Sequence, residues 1–381
     1  MENETKNLKA EAKPKKLQPE ENVYSSYLNK YNDCNSKDNI IYHICMILVN
    51  MVIMVVAMFY INNKYGVSGF ETFKTFFDWK TIVLMLSVFV LIKMIEAVLL
   101  FISFYNKSKY LNFGKLYKAN AFGDYFRKMH VVVGKQPFVV GYMSDTKIKP
   151  IQLVRITSEK KYFNLFAFLC LSLVMTIAGA FAWAGEMNAI VTVVCFIAIV
   201  IGFGYLLFIY MSKNDKGKSI SICAFLSKMF VKLRLAKDEE KTYYDMIDKT
   251  LVTSKCRKIK WYAKALDILS EVAVLSLRGL ILYLIFSMVG YTGVDIYFKS
   301  LWLILTLDIV KNVVPIPNEI LLPDLILFSV LLAMVEAEYI WFVLVLYKIF
   351  ENFIYDVHYV IILLIDKMFS RNNKGEVVVK K

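Results

Sequence analysis

Histidine is scarce. His43, His130 and His358 are the three in 381 residues, and they stand far apart. The six cysteines, Cys34, Cys45, Cys170, Cys195, Cys223 and Cys256, are scattered without a CxxC or Cys/His spacing. Neither a zinc site nor a disulfide framework is therefore expected. The chain has no phosphate-cradling glycine loop, serine elbow or metal motif, so the usual signatures of enzymes are missing. No catalytic activity, no cofactor and no direct use of ATP are expected. The first long apolar run begins near residue 40, too late for an ordinary secretory signal.

What is abundant is apolar surface. Hydrophobic residues make up 58% of the chain and mean hydropathy is +0.51, above the usual share of about half in soluble domains. Several runs exceed the roughly 18 residues that signal a membrane-spanning helix. The net charge is +14. In a soluble protein that would suggest nucleic acid; here it fits basic cytoplasmic loops, and no nucleic-acid partner is expected.

Residues 1–39 are polar, with seven lysines and seven acids, and read as a disordered cytoplasmic tail. Spans are expected at Ile40–Ile61 and Thr81–Phe104, the second entered at Trp79 and carrying Lys93 and Glu96 on neighbouring turns. Charges inside a span are costly and usually face protein. Residues 105–161 hold twelve basic and three acidic residues, which places this loop in the cytoplasm. Within it, His130–Met143 is apolar but too short to span, and reads as a re-entrant element or an amphipathic surface helix.

Tyr162–Ala184 and Asn188–Met211 read as a hairpin of spans. Gly202 and Gly204 would let a neighbour approach closely. The basic stretch 212–264 includes an apolar stripe, Ile222, Phe225, Leu226, Met229 and Leu233. It suits the inner membrane surface or packing against the protein's own loops. A fifth span, Leu266–Gly290, carries Glu271 and Arg278, two turns apart. Tyr297–Val314, Ile320–Val335 and Tyr339–Met368 complete a count of about eight spans. The last includes Lys348, Glu351, Asp356 and His358. Both termini then fall in the cytoplasm, in agreement with the two basic loops and with a basic tail over 371–381.

The most unusual stretch is Asp308–Asp324, DIVKNVVPIPNEILLPD. Pro315 and Pro317 forbid an unbroken helix, and Lys311, Asn312, Asn318 and Glu319 make the interruption polar. Freed backbone at membrane depth survives only against protein or a water-filled cavity. The expectation is two half-helices meeting at a polar turn, as at the binding sites of transporters.

Two motifs carry a family resemblance. Tyr117–Tyr142, YKANAFGDYFRKMHVVVGKQPFVVGY, is similar to a region of the lysylphosphatidylglycerol synthase transmembrane (flippase-like) family. There a lysine–x–x–x–x–glycine helix start leads to T-P-x-x-x-G-G-Q-P-F. Gly134, Gln136, Pro137 and Phe138 match it, while Lys135 replaces a glycine and His130 a proline. The proline-broken stretch resembles the family's P-x-P-G-G-x-G-x-x-E. Pro315 and Pro317 match, and Asp324 stands where the family has a glutamate. Asn318, Glu319 and Leu321 stand where it has glycines. Glu96 falls where relatives carry an acid in the second span. The resemblance runs over residues 40–370.

The resemblance implies a divergent bacterial plasma-membrane protein that moves a charged, aminoacylated or glycosylated lipid headgroup between leaflets. The aminoacyl transferase domain of some relatives is expected to be absent, so lipid synthesis is not expected. Lys93, Glu96, Gly134, Gln136, Pro137, Glu271, Arg278, Asp308, Lys311, Pro315, Pro317, Asn318 and Asp324 are the candidate substrate-binding residues. Arg278 and Lys311 would meet phosphate; the acids would meet a cationic group or balance the bases. Mutual pairing of these charges as structural ties is the competing reading.

The fold class expected is an all-α polytopic bundle with re-entrant or broken helices. Membrane lipids, anionic or aminoacylated, are the expected partners, and homo-oligomerisation is compatible with the sequence. Three functions stay open: a lipid translocase, a transporter of a small polar solute, and a non-transporting membrane scaffold.

Overall fold

The computed structural model describes residues 19–34, 69–104, 112–129, 135–183, 189–212, 222–228, 261–313 and 322–362, with a few isolated positions besides. Among these residues the protein is all-helical. The principal helices are α1 (Pro19–Cys34), α2 (Gly69–Phe76), α3 (Trp79–Phe104), α4 (Phe113–Met129), α5 (Gln136–Tyr142), α6 (Pro150–Ala182), α7 (Ala189–Ser212), α8 (Trp261–Met288), α9 (Val294–Val313), α10 (Leu322–Met334) and α11 (Ala337–Lys348). A π-helical turn, Ile349–Phe353, follows α11 and leads into helical residues 354–362.

Four helices are long and apolar enough to cross a membrane: α3, α6, most of α7 and most of α8. They match the expected second to fifth spans. The count of about eight spans is not confirmed by the described residues. Ile40–Ile61 lies outside the described residues, apart from isolated positions. Helix α9 carries Asp295, Lys299, Asp308 and Lys311, and α10 has only 13 residues, about 20 Å against a hydrocarbon core of about 30 Å. The expected long return over 339–368 is interrupted by the π turn.

Polarity is inverted relative to a water-soluble bundle. Val83, Leu84, Val90 and Leu91 of α3 point outward, while Lys93 is 1% exposed. On α7, Ile197, Val200, Ile201 and Leu207 are exposed. Water does not tolerate so continuous an apolar exterior, whereas lipid does. Helix is also the one local structure that satisfies its own backbone there, so these β-branched runs become helices despite modest propensity.

Helices α8 and α9 form the centre, packing on each other and on α3, α6, α7, α10 and α11. Leu301 to Val310 of α9 are buried without interruption, as expected of a helix enclosed on every side. Gly279 of α8 permits the approach, since a Cβ there would lie 3.1 Å from the Leu301 backbone. Gly202 likewise seats the Leu169 side chain between α6 and α7. Gly204 faces open space, so only the first of the two expected close approaches forms.

Helix α3 starts at Asp78, whose carboxylate accepts hydrogen bonds from Thr81 Oγ1 (2.6 Å), Lys80 N (3.1 Å) and Thr81 N (3.1 Å). The Thr81 hydroxyl first, then the Lys80 amide, holds this carboxyl below its usual range. A carboxyl depressed on folding stabilises the fold above its unfolded value of about 3.9 and loses that contribution as pH falls through the folded value. Amide protection in the first turn of α3 is therefore expected to fade below about pH 4. In Asp78→Ala it should be weak at neutral pH, as read by hydrogen exchange.

The expectation of a structureless 1–39 is corrected over Pro19–Cys34, which forms α1 and packs on α5 and α6. Val23, Tyr27 and Tyr31 recur every four residues and make one face; Val23 and Tyr27 are buried. Gly141 of α5 is the seat for Tyr31, because any Cβ at Gly141 would overlap that ring. Gly141→Leu should detach α1. The expected readout is proteolytic cleavage within residues 19–34 at least about tenfold faster than in wild type, since opening governs cleavage.

Helix α5 departs from the surface-helix reading of its sequence. Pro137 to Gly141 are buried against α1, α4 and α6, so protein rather than a membrane surface covers this apolar piece. Residues 130–134, with Gly134, lie outside the described residues. In 222–228, Ile222 and Phe225 are exposed while Cys223 and Ser227 are buried. Two of the stripe's apolar side chains are thus exposed among the described residues, and Met229 and Leu233 lie outside them.

Candidate functional site

Two ion clusters lie inside the bundle. The first joins α3, α4 and the residue before α5. Lys93 Nζ donates to Glu96 Oε2 (3.0 Å) and Asp124 Oδ2 (2.7 Å). Lys135 Nζ reaches the same two acids, at 3.3 Å and 2.5 Å. Asn120 Nδ2 donates to Glu96 Oε2 at 2.8 Å. Gly123 lets α5 come close: a Cβ there would lie 2.9 Å from Lys135 Cγ and 2.8 Å from a Val139 methyl. Two lysines thus face two acids, which balances a charge set that α3 could not carry alone.

The second cluster joins α8, α9 and the π turn. Arg278 grips Asp308 with both terminal nitrogens (2.5 and 3.1 Å) and donates to Glu351 Oε1 (2.5 Å). Lys311 Nζ reaches the same Glu351 oxygen at 3.5 Å. Again two bases meet two acids. Such forked guanidinium–carboxylate pairs are strong and directional, and Gly279 keeps α8 and α9 near enough for this one. Glu351 is presented by the π turn, an irregularity that appears most often at functional positions.

Tyr355 stands between the clusters. Lys93 Nζ lies 4.5 Å from its ring centroid, within cation–π range. The same ring helps line a cavity of about 10 Å³ with Phe89, Arg278, Tyr347 and Glu351. That is room for about one water. Arg278 Nε and the Tyr347 hydroxyl are buried and have no hydrogen-bond partner among the described residues. Both residues line this cavity, and buried donors of this kind ordinarily find an acceptor. Nearby, Tyr117 Oη and His358 Nε2 share a hydrogen bond of 2.7 Å.

The candidate residues thus divide. Lys93 with Glu96, and Arg278 with Asp308 and Lys311, are brought together. Glu271 lies two turns before Arg278, within electrostatic reach of Lys160 on α6. Gln136 and Pro137 open α5, half-buried and buried. Helix α9 ends at Val313 and α10 begins at Leu322. Pro315, Pro317 and Asn318, like the side chain of Asp324, lie outside the described residues. Sequence reasoning missed Asn120, Asp124, Tyr347 and Tyr355 as partners and gave Lys135 and Glu351 no role. The spacing of Asn120 and Asp124, four apart on one helix face, was the available signal.

Apolar sides, a charged interior and four helices long and apolar enough to cross a bilayer point to one class, an α-helical membrane protein. No family model, curated protein or solved structure matches the chain.

Proposed function

We propose that the chain is an integral membrane translocase of the flippase-like kind, moving a charged phospholipid or glycolipid headgroup between leaflets of a bacterial plasma membrane. Both termini are cytoplasmic in this reading. The observation that carries it is the pair of unsatisfied donors, Arg278 Nε and Tyr347 Oη, on a cavity beside a balanced ion cluster. A guanidinium fork accepts phosphate as readily as carboxylate. A cavity of about 10 Å³ is too small for a phosphate, so in this reading it must widen before a headgroup enters. Entry requires Asp308 or Glu351 to leave Arg278, and the π turn is where Glu351 can be withdrawn. The released acids then face the cationic part of an aminoacylated headgroup.

A second reading, a non-transporting scaffold, is favoured by one observation: the opposite charges in each cluster are equal in number and mutually paired. Buried pairs need no ligand. The two readings separate in vesicles holding the full-length protein and labelled zwitterionic, anionic or aminoacylated phospholipid. A translocase moves at least one of these between leaflets faster than protein-free vesicles do. A scaffold moves none.

A further inference from the structure

A third group of buried charges belongs to neither cluster. Glu159 of α6 and Asp267 of α8 are 5% and 8% exposed, and their helices pack together. The Glu159 Oε1 atom is buried and has no hydrogen-bond partner among the described residues. The hydroxyls nearest these acids in sequence bond backbone carbonyls of their own helices: Thr157 that of Leu153, and Ser270 that of Asp267. The charged groups that bear on Glu159 are Lys264 and Asp267, both from α8. Lys160 bears on Asp267, and in turn feels Lys135 of α5, Glu96 of α3 and Glu271 of α8.

The depth of this group follows from helix length. Helix α6 has 33 residues, about 50 Å, longer than the hydrocarbon by about 20 Å. Its apolar stretch begins at Tyr162, so Glu159 lies near the membrane boundary on the side of the basic 105–161 segment. Lys264 and Asp267 begin α8 at a matching level.

A carboxylate oxygen can only accept. Burial with no donor among the described residues makes it costly while ionised, and Asp267 adds to that cost while Lys264 offsets part of it. One proton relieves this: it removes the charge from one carboxyl and turns its oxygen into a donor that the other carboxylate can accept. We infer that Glu159 and Asp267 form a proton-binding site that holds one proton between them and exchanges it with water at the basic-loop end of the bundle. The proton comes from solvent, bonds to a carboxylate oxygen of the pair and returns by the same route; no other bond is made or broken. This inference does not depend on the translocase reading.

The test is an infrared titration of the full-length protein in vesicles. At about pH 6 free aspartate and glutamate are ionised, so a protonated-carboxyl band there belongs to a raised site. The wild-type protein should show it; Glu159→Gln should lose it; Glu71→Gln, at an exposed acid, should keep it. Absence of the band in wild type overturns the proposal, and so does its survival in Glu159→Gln. Loss of the band on adding sodium at constant pH overturns it in favour of a metal-cation site. The wild-type titration needs no variant, so misfolding of Glu159→Gln leaves the proposal open to refutation. Lipid transfer plays no part in the readout, so failure here is distinct from failure of the translocase reading.

Discussion

Arg278→Gln is expected to destabilise the protein by about 3–5 kcal/mol and to reduce lipid transfer in reconstituted vesicles at least about tenfold, the effect of about 1.4 kcal/mol on the barrier. The stability loss follows from what remains. Asp308 and Glu351 keep their charges but lose their forked partner, and Lys311 stands 3.5 Å from one Glu351 oxygen. Arg278→Lys should recover part of the stability and little of the transfer, because a point charge cannot reproduce the two-pronged grip on Asp308. The double variant Arg278→Gln with Asp308→Asn separates function from structure. It removes one charge of each sign and keeps the Lys311–Glu351 pair. Stability, read by thermal unfolding in detergent, should mostly return. Transfer should not, if Arg278 meets phosphate. Full recovery of both would make the cluster a structural tie and take Arg278 out of the path of the headgroup.

Lys93→Met is the second large effect. Lys93 is 1% exposed and holds two carboxylates at once. Without it, Lys135 is the one cation among the described residues in direct contact with Glu96 and Asp124, and their two charges are no longer balanced there. A loss of about 3–5 kcal/mol is expected, read as a lowered unfolding temperature. Adding Asp124→Asn should restore most of it, since Lys135 and Glu96 then balance. The rescue is specific: Asp308→Asn, in the other cluster, should not help, because it leaves the excess charge in place and creates a second imbalance.

These partnerships were only half legible in the sequence. Lys93, Glu96, Arg278 and Asp308 stood out because each interrupts an apolar run, and a charge in such a run must face protein. Asp124 and Lys135 did not stand out, because they sit in a stretch whose many lysines read as a solvated loop. Glu351 was lost in a long mixed segment, since nothing local announces that a π turn will aim it inward. Helix α1 was hidden for a different reason. Its composition is that of a disordered tail, and only the fourfold recurrence of Val23, Tyr27 and Tyr31 betrays a packing face. The spans α3, α6, α7 and α8 were plain because hydrocarbon permits few backbone solutions, whereas α9 and α10 depend on enclosure by other helices.

The turn at Ile349–Phe353 has one more consequence. A π turn holds an extra residue compared with the α-helix it interrupts, and each residue advances the helix by about 100°. The phase of everything after it is therefore set there. Tyr355 comes to rest under Lys93, His358 against Tyr117, and Tyr359 flat upon Tyr125 at 4.0 Å between ring centres. Were the turn to tighten into a regular α-helix, all three aromatic rings would swing off their partners together. Motion at one irregular turn would thus be felt as a rotation of the whole C-terminal segment.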